Sequence, residues 1–109
     1  MSQPKTYSPT MKVKNISHLL QMLRFEDMQN TGSQELPPGQ CIVLERFVGK
    51  ENVSEPNLNF GLAEVVGSVQ YEINFTQADV GKTIYYRCCY ISTQGKKSPW
   101  SKTLTVVIV

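Results

Sequence analysis

The chain has 109 residues, 40% of them hydrophobic and 18% charged, and its eleven Lys and Arg against nine Asp and Glu give a net charge of +2. This length predicts a single domain that can bury a core without metals or disulfides. So small a charge argues against nucleic acid or a membrane surface as the partner. No stretch is long and apolar enough to predict a membrane-spanning helix.

The N-terminal part of the chain predicts a lead segment and then an edge strand. Residues 1–8 are mostly polar, so we expect a flexible lead before one domain over residues 9–109. No apolar segment follows the start, which predicts synthesis in the cytoplasm without a signal peptide. Over residues 11–16, Met11 and Val13 alternate with lysines, the pattern of a half-buried edge strand that discourages pairing with other edges.

The next segment, residues 18–26, satisfies the period of a helix and of a strand. A strand is favoured because Leu19, Leu23 and Phe25 then share one face. Residues 28–40 and 49–58 lack periodicity and contain proline, so both are predicted loops.

The remaining chain alternates between apolar runs and turn residues. Strands are predicted over residues 41–48, with Cys41, Val43 and Phe47 on one face, and over 59–66, 69–75, 83–92 and 98–109. With no convincing helix, the pattern predicts an all-β domain, a seven-stranded antiparallel sandwich.

Two C-terminal motifs resemble a known family. Residues 79–86 (DVGKTIYY) and 95–101 (GKKSPWS) resemble the last two strands of a fibronectin type III domain, within the immunoglobulin-like sandwiches. With residues 18–27 (HLLQMLRFED) they resemble, more narrowly, the C-terminal domain of uncharacterised bacterial and phage-associated proteins with a GKTxYY...GPWS ending. The resemblance implies the fold and passes on no settled activity.

This resemblance also implies structural roles in the turn before the sixth strand. A tyrosine corner, in which a tyrosine hydroxyl bonds backbone upstream, would use Tyr85 or Tyr86. Tyr86 is favoured because Val80 lies six residues earlier, where the family has an apolar plug. Gly81 belongs to the same turn.

A second implied feature is a cation on Trp100. The relatives carry Arg-Trp where this chain has Cys89 and Tyr90, so Arg87 or the stem of Lys102 is the expected cation–π partner.

The cysteines do not predict a disulfide framework. The chain has an odd number of cysteines, namely Cys41, Cys88 and Cys89. An odd number is typical of proteins in a reducing compartment, where disulfides do not form. The second strand holds no cysteine, so the disulfide of immunoglobulin domains is absent. If Cys88 faces the core, Cys89 is the candidate free thiol on the outer face.

Residues for chemistry are sparse, and we predict no catalytic residue, no metal site and no cofactor. His18 is the sole histidine, and an enzyme would need it beside a thiol and a carboxylate. The Gly-Lys-Thr at residues 81–83 lacks the upstream glycine of a phosphate-binding loop.

The sequence therefore predicts a structural or interaction module with a protein partner, either a particle subunit or a neighbouring domain, and leaves a homo-oligomer open. A sharper hypothesis is decoration of a phage or other particle surface. The alternative is a carbohydrate- or peptide-binding accessory domain of a bacterial surface system, with Trp100 and Tyr90 exposed. The predicted interaction surface consists of Trp100, Tyr90, Lys96 and Lys97.

Overall fold

The computed structural model describes residues 7–27, 35–49 and 62–109, which form seven β-strands and one short 3-10 helix. The strands are β1 (Thr10–Ser17), β2 (Leu20–Glu26), β3 (Gln40–Gly49), β4 (Leu62–Val66), β5 (Gln70–Asn74), β6 (Thr83–Ser92) and β7 (Leu104–Val107). The 3-10 helix, Gln77–Asp79, precedes β6. None of the described segments forms a helix with the length and apolar character of a membrane span.

The strands build two antiparallel sheets, which confirms the predicted seven-stranded sandwich. One sheet has the order β1-β2-β5 and the other the order β4-β3-β6-β7. The strands follow the predicted order along the chain. The largest boundary difference is at the end, where the strand predicted over residues 98–109 is regular only from Leu104 to Val107.

The core lies between the sheets and takes alternate residues from each strand, because strand side chains point to opposite faces in turn. It is aliphatic around two buried tyrosines, and their removal from water is the main stabilising term. Its members are Leu23, Phe25, Ile42, Leu44, Val66, Ile73, Ile84, Tyr86, Cys88, Tyr90, Val106 and Ile108. Since Ile42 and Leu44 face inward, the face predicted to hold Cys41, Val43 and Phe47 is the outer face of the second sheet.

The first strand has the features predicted for a protected edge. Met11 and Val13 are half-buried against the core while Lys12 and Lys14 are exposed. A bulge between Val13 and Asn15 further interrupts the pairing with β2, and both features discourage addition of another strand along residues 12–17, the part of β1 that follows Met11.

One residue of the β1–β2 hairpin departs from its predicted place. Leu19 was expected to share the inward face of β2, but it lies in the turn with a φ of 61°. Its backbone N–H donates to the carbonyl oxygen of Val109 at 2.8 Å. The inward position goes instead to Gln21, which is 1% exposed.

A residue that precedes position 9, the predicted start of the domain, contacts the rest of the fold. Tyr7 is half-buried and its hydroxyl donates to the carboxylate of Asp27 at 3.0 Å. The predicted loops at residues 28–40 and 49–58 lie largely outside the described residues, although Leu36 packs against the core and Gly49 ends β3.

Candidate interaction surface

Two serines attach the residues before β7 to the edge of β6. Ser98 donates its N–H to the carbonyl of Tyr90 at 3.0 Å and accepts the N–H of Tyr90 on its Oγ at 2.9 Å. Ser101 does the same with Cys88, at 2.7 and 3.0 Å. Each serine thus satisfies both backbone groups of one β6 residue, as a paired strand residue would.

Ser98 and Ser101 are three residues apart but bond β6 residues that are two apart, so the segment between them, which carries Trp100, holds one extra residue. Pro99 has no N–H and cannot continue a ladder. The half-buried Trp100 ring has the guanidinium carbon of Arg87 4.2 Å from its centroid and the amine of Lys97 at 5.6 Å. Both lie within cation–π range. Of the two expected partners, Arg87 is therefore the one in place.

Arg87 is itself held by Glu45 on the neighbouring strand. The Glu45 Oε1 accepts from Arg87 Nε at 2.7 Å and lies 2.5 Å from Nη2. The two residues are directly paired in the β3–β6 register. Two guanidinium nitrogens thus contact the same carboxylate oxygen, and this charge-assisted contact restrains the guanidinium that lies against the Trp100 ring.

Cys89 lies on this outer face but is not accessible. It is 0% exposed, so the unbridged thiol lies on the predicted face and is shielded from solvent. Burial raises the pKa of its thiol, with Lys97 acting in the opposite direction. Cys88 faces the core, as predicted, where burial raises its pKa to about 12. Cys41, Cys88 and Cys89 are all unbridged.

Tyr90 was placed on the predicted surface, and this prediction is wrong. Its side chain is 1% exposed because it occupies an inward position of β6. Its hydroxyl donates to Asp27 Oδ2 at 2.7 Å, and its ring meets that of Tyr7 edge-on at 6.1 Å. Burial and the Asp27 hydrogen bond raise the pKa of Tyr90.

Tyr86 is buried as expected but does not form the predicted tyrosine corner. Its hydroxyl donates to Gln21 Oε1 at 2.6 Å, a side chain of the opposite sheet, and not to backbone just upstream. Val80 is 39% exposed, so it is not the predicted plug. Gly81 does lie in the turn, with a φ of 89° that favours glycine, and its N–H donates to Ile108 at 2.8 Å.

The surface that remains from the prediction is basic. Lys96 and Lys97 are exposed beside Trp100. We use the name Trp100 surface for Lys96, Lys97, Pro99 and Trp100. The described residues contain no cluster of three or more potential metal ligands, and His18 is exposed in the turn between β1 and β2.

The roles of several residues in this region were not predicted from the sequence. Asp27 lies in the segment used for the resemblance, yet its role as an acceptor for two tyrosines was not foreseen. Gln21 shares the period-two face of Leu23 and Phe25, and a polar residue in that position was a signal of an internal hydrogen bond.

The fold is similar to that of a solved structure described as the twitchin kinase region from C. elegans (Fn31-NL-kin-CRD-Ig26). The two chains are 14% identical with a TM-score of 0.68, over 96% of this chain and 17% of the other. The present chain thus spans less than a fifth of that structure's length. No family model and no curated protein matches the sequence.

This likeness shows the fold alone, a fibronectin type III- or immunoglobulin-like sandwich. The fourth strand pairs with the third, whereas in immunoglobulin constant domains it lies in the sheet of the first strand. The narrower resemblance to bacterial and phage-associated proteins stays a prediction.

Proposed function

We propose that this domain is a non-catalytic protein-interaction module that binds an acidic region of its partner through the Trp100 surface. The observation that carries the proposal is the position of Trp100, whose ring is contacted by the cations of Arg87 and Lys97, on a segment attached to β6 by Ser98 and Ser101. Tryptophan and arginine held in rigid settings are the residue types enriched in binding hot spots.

The charges around Trp100 favour an acidic partner. Glu45 is already engaged by Arg87, so the exposed amines of Lys96 and Lys97 dominate the field outside the sheet. Such exposed charges mainly speed association and select partners of opposite sign.

A sugar-binding platform has less support. Such a site needs an open aromatic face, and the Trp100 ring already has Arg87 stacked on it at 4.2 Å. The second aromatic required by that hypothesis, Tyr90, is buried in the core.

The test uses the full chain with a photo-crosslinking residue at Pro99, in lysate of the native source. We expect a discrete crosslinked partner that the double change Lys96→Glu and Lys97→Glu abolishes. The matched control, Lys14→Glu, reverses a charge on the exposed side of β1 and should leave the crosslink intact. Equal crosslinking by all three proteins would refute the role of this surface.

A more specific form of the proposal places the module on a phage or other particle surface. It is supported only by the resemblance of residues 79–86 and 95–101. Density-gradient sedimentation of the native lysate tests it, because a decoration subunit travels with large particles. A slowly sedimenting free species would rule out the particle and leave the acidic partner to be identified.

A further inference from the structure

A groove of about 420 Å³ separates the edges of the two sheets on the β1 and β7 side. One wall is Ser8–Met11 and the other is Ser101–Leu104. Its volume falls within the range of known ligand sites. The groove is distinct from the Trp100 surface, although Ser101 directly follows Trp100 in the chain.

The β1 wall presents backbone groups to the groove. The N–H of Phe25 donates to Val69, towards β5, so Phe25 makes no ladder bond to Met11, its partner in β1. Because antiparallel pairs alternate between bonded and non-bonded, Met11 directs its N–H and C=O away from β2.

The β7 wall follows the same alternation. The N–H of Ile108 donates to Lys82, towards β6, so the groups of Val107 and Thr105 point to the open side. At the far end this side is closed, since Val109 accepts from Leu19 at 2.8 Å and Val107 from Gln21 at 3.5 Å. The opening that remains is at Thr105, beside the groove.

The groove lining sets the chemistry of an occupant. Its lining includes Met11 and Leu104, which pack against the core, and four hydroxyl side chains. Among the described lining residues, the exposed Lys102 is the one charged side chain. The Ser8–Met11 wall is about 10 Å long at 3.3 Å per strand residue, which suits an extended segment of three or four residues.

We infer that this groove binds an extended segment of a partner protein, which adds as a strand between β1 and β7 and places a carboxylate at Lys102. Main-chain hydrogen bonds to Met11 and Thr105 supply the affinity common to strand addition, and alternate apolar side chains of the segment meet Met11 and Leu104. This inference is independent of the Trp100 surface.

The experiment is a titration of the isotopically labelled full chain with the synthetic peptide acetyl-Thr-Val-Asp-Val-Thr-amide, followed by amide NMR signals. A second peptide with lysine in place of aspartate is the ligand control. We expect saturable shifts and slowed hydrogen exchange at Met11 and Thr105, with the acidic peptide bound at least about 5-fold more tightly than the basic one.

Two variants test whether Lys102 is the cation that binds the peptide carboxylate. Lys102→Glu should reverse the preference between the peptides, while Lys14→Glu, outside the lining, should change neither affinity by more than about 2-fold. The inference is overturned by the absence of saturable shifts up to about 5 mM peptide or by equal binding of the two peptides. Shifts confined to Lys97 and Trp100 would overturn it and leave the proposed function standing.

Discussion

Two polar contacts join β2 to β6 across the core, one near each end of the sandwich, and they differ in charge. At one end the carboxylate of Asp27 accepts the hydroxyls of Tyr90 and Tyr7. At the other end the neutral amide of Gln21 accepts the hydroxyl of Tyr86. Both use a tyrosine of β6 and a polar residue of β2 or, in the case of Asp27, of the position directly after β2, so the comparison separates the effect of a buried charge from that of a buried amide.

The difference teaches how each end depends on its partners. A buried carboxylate needs several donors, because its desolvation is costly until hydrogen bonds compensate it. A buried amide oxygen is satisfied by one good donor. The Asp27 end therefore draws in Tyr7 from before β1, whereas the Gln21 end needs no residue from outside the two strands beyond a long bond to Val107.

The largest effect is expected from Asp27→Ala. The change removes the acceptor of two tyrosine hydroxyls, and hydrogen bonds to a charged group are worth about 1.5–3 kcal/mol each. We expect the free energy of unfolding to fall by about 3–4 kcal/mol, measured by urea denaturation. Asp27→Asn, which keeps one acceptor oxygen, should lose less than the alanine variant. An Asp27→Asn variant as stable as the unchanged chain would show that the charge has no role, whereas a loss equal to that of alanine would show that a neutral acceptor cannot replace it.

A smaller loss of stability is expected from Tyr86→Phe, which removes the donor of the Gln21–Tyr86 hydrogen bond. It leaves the buried Gln21 oxygen without its donor, which costs about 1–3 kcal/mol. The double variant Tyr86→Phe with Gln21→Leu should recover part of that loss, because both polar partners are then gone. A double variant less stable than the sum of the two single changes would contradict this account of the contact.

Alkaline pH should lower the free energy of unfolding through both the Tyr86 and the Tyr90 contacts. Burial raises the pKa of Tyr86, and burial with the Asp27 hydrogen bond raises that of Tyr90. In the unfolded chain a tyrosine hydroxyl loses its proton above a pKa of about 10, whereas in the folded chain the buried hydroxyl keeps it. The free energy of unfolding is therefore highest below pH ~10 and falls as the pH rises. Each tyrosine should contribute about 1.4 kcal/mol of loss at pH 11.

Phenylalanine variants separate these contributions. Tyr86→Phe and Tyr90→Phe should each reduce the loss between pH 8 and 11 by about 1.4 kcal/mol, measured by denaturation at the two pH values. The half-buried Tyr7 and the cysteine thiols are present in every variant, so their contributions to the pH dependence largely cancel in the comparison. An unchanged pH dependence in both variants would show that these hydroxyls ionise as freely in the folded chain as in the unfolded one.

The fold could be predicted because strand periodicity is written locally in the sequence. The alternation in residues 11–16 and the long apolar run in residues 83–92 predicted β1 and β6 almost at their observed bounds. The apolar run does not itself show which face of β6 is inward. Tyr90 shares a face with Cys88, so the prediction that placed Tyr90 at the surface was inconsistent with the inward position considered for Cys88.

The contacts that close the two ends could not be predicted for a different reason. Asp27 and Tyr90 lie in different sheets and far apart in the chain, and only the packing of the sheets brings them together. Leu19 was misplaced because its left-handed backbone, with φ 61°, is set by the bond to Val109 and not by its own preference.

The smallest effect is expected from Tyr7→Phe, which tests whether the Asp27 end needs its second donor. The Tyr7 hydroxyl lies 3.0 Å from both oxygens of Asp27, but the residue is only half-buried, so water can replace the lost donor. We expect a loss of about 0.5–1 kcal/mol, the net value of an ordinary hydrogen bond. The phenyl ring keeps its edge-on contact with Tyr90, so the change isolates the hydroxyl. A loss as large as that of Asp27→Ala would mean that Tyr7, and not Tyr90, is the donor that holds this end of the sandwich.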